Sequence, residues 1–164
     1  MSTRSEALAE RVERGARELM ALVEGCSEAD WQTVCPDEGR TVGVLAHHVG
    51  SLYPVEMDLV KVLASGQAIA GVTWEMVDQM NAEHAEGQGK VTREETLELL
   101  RRNSAAAGDA IRELSDEQLD KAAPVSLNWD APLTTQYFIE EHPMSHAFAH
   151  LSSIRAALNG TAAK

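Results

Sequence analysis

IEEHPMSHAFAHLSSIRAAL, residues 139–158, decides how the chain is read. Ile139, His142, His146, His150, Ile154 and Leu158 recur at three- and four-residue spacing, the period of one helix face, so this face carries three imidazoles between apolar ends. Neutral imidazole is a common ligand for zinc, nickel and iron. His142 and His150 lie about 12 Å apart along such a helix, too far to share an ion held about 2 Å from each nitrogen. One adjacent pair is the most this helix offers a single metal.

The same period runs through most of the chain, with little β alternation. Leu8, Val12, Gly15, Leu19, Leu22 and Val23 form one stripe, and Leu45, His48, Leu52, Val55, Leu59 and Val62 a second. Leu97, Leu100, Ser104, Ala107, Ile111 and Leu114 form a third. These predict an all-α four-helix bundle with helices near residues 5–24, 41–65, 92–114 and 134–158. Thr92 with Glu95 is a capping box opening the third helix, and Ser115 with Gln118 opens a short turn after it. Gln67 to Val91 is too long for a tight turn and is expected to cross the bundle, with a short extra helix from Trp74 to about Ala85 covering the core. Ser27-Glu28-Ala29-Asp30-Trp31 with Pro36 matches Ser115-Asp116-Glu117-Gln118-Leu119 with Pro124, which suggests two similar helical hairpins.

His47 and His48 point about 100° apart on a helix, and only His48 joins Leu45, Leu52 and Val55. A histidine pair one turn apart plus one histidine from a facing helix gives three nitrogen donors and an open position, as in catalytic zinc sites. Glu56, Glu140 and Glu141 are candidate bases or acceptors for a ligand imidazole. Trp74, Met76, Met80 and His84 are candidate lid residues, and Trp129, Tyr137 and Phe138 a candidate pocket wall. Pro54 and Pro143 each remove a helical donor, and both fall on one side of the site if helices two and four are antiparallel.

Composition limits the partners. A length of 164 residues suits one domain, 1–164, with a substantial core. A net charge of -12 without a basic cluster repels a phosphate backbone, so no nucleic-acid partner is expected. No cationic, apolar leader or long apolar span is present, which points to a cytoplasmic protein without a membrane partner. Cys26 and Cys35 lack CxxC spacing and are expected to be reduced. No Ser/His/Asp, P-loop or GxGxxG pattern appears.

Thr41-Val42-Gly43-Val44-Leu45-Ala46-His47-His48-Val49 resembles the second-helix motif of the DinB-like bundles, relatives of the N-terminal domain of mycothiol-dependent maleylpyruvate isomerase. His146-Ala147-Phe148-Ala149-His150-Leu151-Ser152-Ser153-Ile154-Arg155 resembles the fourth-helix HxxxH motif of that family, with Ser152-Ser153 in place of the usual Gly-Gln. The resemblance implies an up-down-down-up bundle whose long crossover joins helices two and three. It also implies that His48, His146 and His150 bind one divalent ion, zinc or nickel, with water completing the shell. The expected function is metal-dependent transfer of a low-molecular-weight thiol such as mycothiol or bacillithiol to a small-molecule substrate, or thiol-dependent isomerisation. A metal-dependent hydrolase, or a non-catalytic metal- or ligand-binding bundle of a stress response, is the alternative, and a homodimer is compatible with either.

Overall fold

Each long helix begins where a short polar side chain caps it. The computed structural model describes residues 2–162. Ser2 caps α1 (Thr3–Glu24), Thr41 caps α3 (Val42–Ala64) and the Thr92–Glu95 box opens α5 (Arg93–Arg112). The fourth bundle helix is continuous in three parts: α7 (Thr135–Ile139) capped by Thr134, a π-helical turn (Glu140–Met144), and α8 (Ser145–Ala162). Proline at 143 has no N–H, and its ring crowds the carbonyl of Ile139; the wider π turn accommodates both.

Side-chain pairs fix the directions. Ser5 and Glu6, at the start of α1, reach Arg112 at the end of α5, so these helices are antiparallel. Gly50 of α3 packs on Leu100, and its carbonyl accepts a hydrogen bond from Asn103, so α3 and α5 run parallel. Arg11 with Glu140 and Glu18 with Arg155 align the fourth helix with α1. Glu56 with His146 and His48 with His150 set it antiparallel to α3. The bundle is therefore up-down-down-up, and the segment between α3 and α5 is the long crossover. It carries α4 (Trp74–Gly87), which lies on the outside of the bundle with no residue buried and packs partly buried Val77 against the core.

The core is Leu8, Leu19, Leu45, Leu63, Leu100, Ile111, Leu151 and Ile154 with Tyr53 and Phe138, each fully buried large side chain contributing about 1.5–3 kcal/mol. The predicted second stripe is offset. Beyond His48 the buried positions of α3 are Val49, Gly50, Tyr53, Glu56, Met57, Val60, Leu63 and Ala64, whereas Val55 is 45% exposed. At 100° per residue Val55 has turned only about 20° from His48, so drift does not expose it; Val49, Tyr53, Met57, Val60 and Ala64 centre the buried face about 130° round the helix from the predicted stripe, which therefore ran along its edge. The true face takes in Glu56.

The two serine-led segments do fold alike. Ser27 caps α2 (Glu28–Trp31) and Ser115 caps α6 (Asp116–Asp120), both through capping boxes, and both bury the matched apolar residue, Trp31 or Leu119. Each is followed by a short antiparallel hairpin, β1 (Val34–Cys35) with β2 (Arg40–Thr41), and β3 (Ala122–Val125) with β4 (Ala131–Thr134). The first hairpin matters most for the site, because its turn carries Glu38 and β2 carries Arg40. Trp31 anchors this corner against the bare backbone of Gly43, where a β-carbon would lie 2.5 Å from the indole.

Candidate metal centre

His48 enters the bundle interior from α3, about two turns after the Thr41 cap and flanked by fully buried Leu45 and Val49. His146 and His150 face it from successive turns of α8. One potential ligand atom from each of the three histidines lies within 4.8 Å of the other two. His146 Nε2 is 3.2 Å from His48 Nε2, and the three ring centroids are 4.7 to 5.3 Å apart. Two nitrogens each about 2.1 Å from one tetrahedral ion would stand about 3.4 Å apart, so the spacing suits a shared ion.

Two carboxylates orient the rings. Glu38 Oε1 is 2.8 Å from His150 Nδ1, and Glu56 Oε1 is 3.3 Å from His146 Nδ1. With Nδ1 engaged by a carboxylate, each ring keeps Nε2 as its free nitrogen, the arrangement by which carboxylates fix the tautomer of metal-ligating histidines. His48 Nδ1 is buried without a hydrogen-bond partner among the described residues. Arg40 Nη2 donates to Glu38 Oε2 at 2.7 Å, extending the chain of contacts from His150 through Glu38 to a cation.

His48 and His150 are held neutral. Burial, reinforced by His146, Arg40, His150 and His84, pushes His48 down to about 2, and burial with His146 and Arg40 lowers His150 to about 4 despite Glu38. Burial works against ionisation of Glu38, but Arg40 and His150 outweigh it and keep that carboxyl below its ordinary value. Three imidazoles with two carboxylates beside them form a donor set suited to a divalent metal ion.

The structure separates the other candidates. His142 is turned out of the cluster because the π turn shifts the helical phase; its ring lies 4.2 Å from Phe138. Glu140 pairs with Arg11 instead of a histidine, and Glu141 is exposed. Trp129 is 91% exposed and Tyr137 is exposed, so neither walls a pocket, while Phe138 belongs to the core. Trp74, Met76 and Met80 are exposed on α4. His84 of the same helix does reach the site: its Nε2 is 2.9 Å from His47 Nδ1, and its ring lies edge-on to His48 at 5.3 Å. Glu38 and Arg40 gave no signal in the helical pattern, since they sit in a turn and a two-residue strand. Cys26 and Cys35 are free thiols, both buried. Among the described residues no helix is long and apolar enough to cross a membrane.

The family model of the DinB superfamily matches residues 11–152. The chain belongs to the DinB superfamily. Among solved structures, that of YfiT from Bacillus subtilis, described as a probable metal-dependent hydrolase with an unusual four-helix bundle topology, is similar to this DinB chain with a TM-score of 0.76 at 15% identity, over 99% of this chain and 90% of that one. An uncharacterized protein from Clostridium difficile 630 has a TM-score of 0.72 at 14% identity, over 95% of this chain and 96% of the other. At such identities the likeness shows the fold. No curated protein matches the chain.

Proposed function

We propose that His48, His146 and His150 hold one divalent ion, zinc or nickel, and that this DinB protein is a metal-dependent enzyme transferring a low-molecular-weight thiol to a small electrophile or using it for isomerisation. One observation carries the reading: two of the three clustered imidazoles have their Nδ1 atoms engaged by carboxylates, Glu38 and Glu56, which leaves Nε2 free. A divalent ion held by three neutral nitrogens and keeping an open position lowers the pKa of a thiol or of water near it.

The chain's own residues would do the rest. Glu38 and Glu56 keep protons on the Nδ1 atoms of His150 and His146, and His84, edge-on to His48, screens the cluster from solvent. Glu56 Oε2 is buried and unpartnered among the described residues, and is the acceptor available for the proton a thiol gives up. The thiol must come from outside, because Cys35 is fully buried and burial pushes its thiol up to about 11. Hydrolysis is the second reading, favoured by the same free carboxylate oxygen, which serves equally to take a proton from water, and by the hydrolase description of YfiT.

The test incubates untagged, zinc-loaded protein with mycothiol or bacillithiol and monochlorobimane, with His150→Ala as control. Conjugation above the spontaneous rate that disappears in the variant is expected. Thiol-independent ester cleavage lost in His150→Ala replaces the thiol reading with the hydrolase. Neither activity leaves a binding protein.

A further inference from the structure

We propose that Arg40 binds a carboxylate carried by the substrate, beside the histidine cluster. This rests on the enzyme reading above and adds a substrate class, small carboxylic acids. Arg40 stands on β2 immediately before the Thr41 cap of α3, with its side chain 15% exposed. One arm of the guanidinium is used: Nη2 donates to Glu38 Oε2 at 2.7 Å. The other, Nη1, is buried and has no hydrogen-bond partner among the described residues. An unmade hydrogen bond from a buried, permanently charged donor is costly, and a ligand oxygen removes that cost.

Holding Glu38 against His150 needs only Nη2, so a purely positioning role leaves Nη1 unexplained. The placement supplies the explanation. Arg40 Nη2 is 2.7 Å from one oxygen of Glu38, and the other oxygen of that carboxylate is 2.8 Å from His150 Nδ1, so the guanidinium stands one carboxylate away from the cluster. The chain carries a net charge of -12, and Glu38 and Glu56 already flank the histidines, so an anion approaching them meets repulsion unless one free cationic donor receives it. With Nη2 committed to Glu38, Nη1 remains as a buried nitrogen with two N–H donors and no partner among the described residues. That complement fits one oxygen of a singly charged carboxylate better than a doubly charged phosphate.

The experiment titrates metal-free protein with propionate, and with propionamide as the neutral control, while recording the arginine side-chain N–H resonances by NMR. Propionate should shift the Arg40 signals saturably and propionamide should not. Arg40→Gln should weaken propionate binding at least tenfold, with Arg40→Lys in between. Glu38→Gln removes the negative charge that Arg40 now neutralises and should tighten propionate binding severalfold, the opposite of what loss of a structural contact would do. An equal response to both probes, undiminished binding in Arg40→Gln, or no gain in Glu38→Gln overturns the proposal; should Arg40→Gln unfold, the wild-type and Glu38→Gln titrations decide. Because the protein is metal-free, a failure here is distinct from a failure of the metal reading, which elemental analysis reports separately.

Discussion

Replacing Glu38 by glutamine keeps the size of the side chain and its ability to accept a hydrogen bond, but removes its charge. The contact at stake is short: Glu38 Oε1 lies 2.8 Å from His150 Nδ1, within the range of charge-assisted hydrogen bonds, which are roughly twice as strong as neutral ones. The ionised carboxylate raises the basicity of the opposite nitrogen, Nε2, the one left for a metal. Removing it also frees the charge of Arg40, now partnered by Glu38 at 2.7 Å, to repel a cation. Both effects act in one direction. Loss of such an orienting carboxylate weakens metal binding about 10- to 100-fold, or about 1.4–2.8 kcal/mol. Glu56→Gln should cost less, under about tenfold, since its contact to His146 is 3.3 Å. The assay is competition for zinc against a fluorescent chelator at neutral pH, with Glu83→Gln on the exposed α4 as control. Affinity of Glu38→Gln within twofold of wild type, or a larger loss in Glu56→Gln, would refute the argument.

Three further outcomes are expected. Gly43→Ala forces a β-carbon to 2.5 Å from the buried Trp31 indole; overpacking costs about 1–3 kcal/mol against about 1 kcal/mol of helix propensity gained, so the melting temperature should fall, and a rise would contradict the packing. His48, His84 and His150 are depressed from an ordinary value of 6.5 to about 2, 4 and 4, so the unfolded chain takes up protons that the metal-free fold refuses. The stability they contribute is complete above pH 6.5 and lost progressively below it, and the urea midpoint of metal-free protein should drop between pH 7.5 and pH 5; an unchanged midpoint tells against neutral buried rings. Burial raises both thiols, Cys26 and Cys35, so native protein should react with a disulfide reagent far more slowly than free glutathione does, and rapid native reaction would contradict this.

The helices were legible because their apolar residues recur with the helical period and their starts carry Ser or Thr caps, as at Thr41 and the Thr92–Glu95 box. The three clustered histidines were legible for the same reason, as equally spaced polar residues on otherwise buried faces. What was hidden depends on phase or on tertiary contact. Val55 belongs to the apolar pattern yet is exposed, because that pattern ran along the edge of the buried face of α3, whereas Glu56 stands within that face. His142 has the spacing of the other two, but the π turn around Pro143 rotates it away. The hairpins are two to four residues per strand, too short for alternation to register, and so Glu38 and Arg40 reach the site from a turn that no local pattern marks.

The central claim is tested most directly by elemental analysis of untagged protein reconstituted with zinc and freed of excess ion. About one ion per chain is expected for wild type and for His142→Ala, and almost none for His48→Ala, His146→Ala or His150→Ala, each checked for intact helicity. A full equivalent of zinc retained by folded His48→Ala, or none bound by wild type, would contradict it.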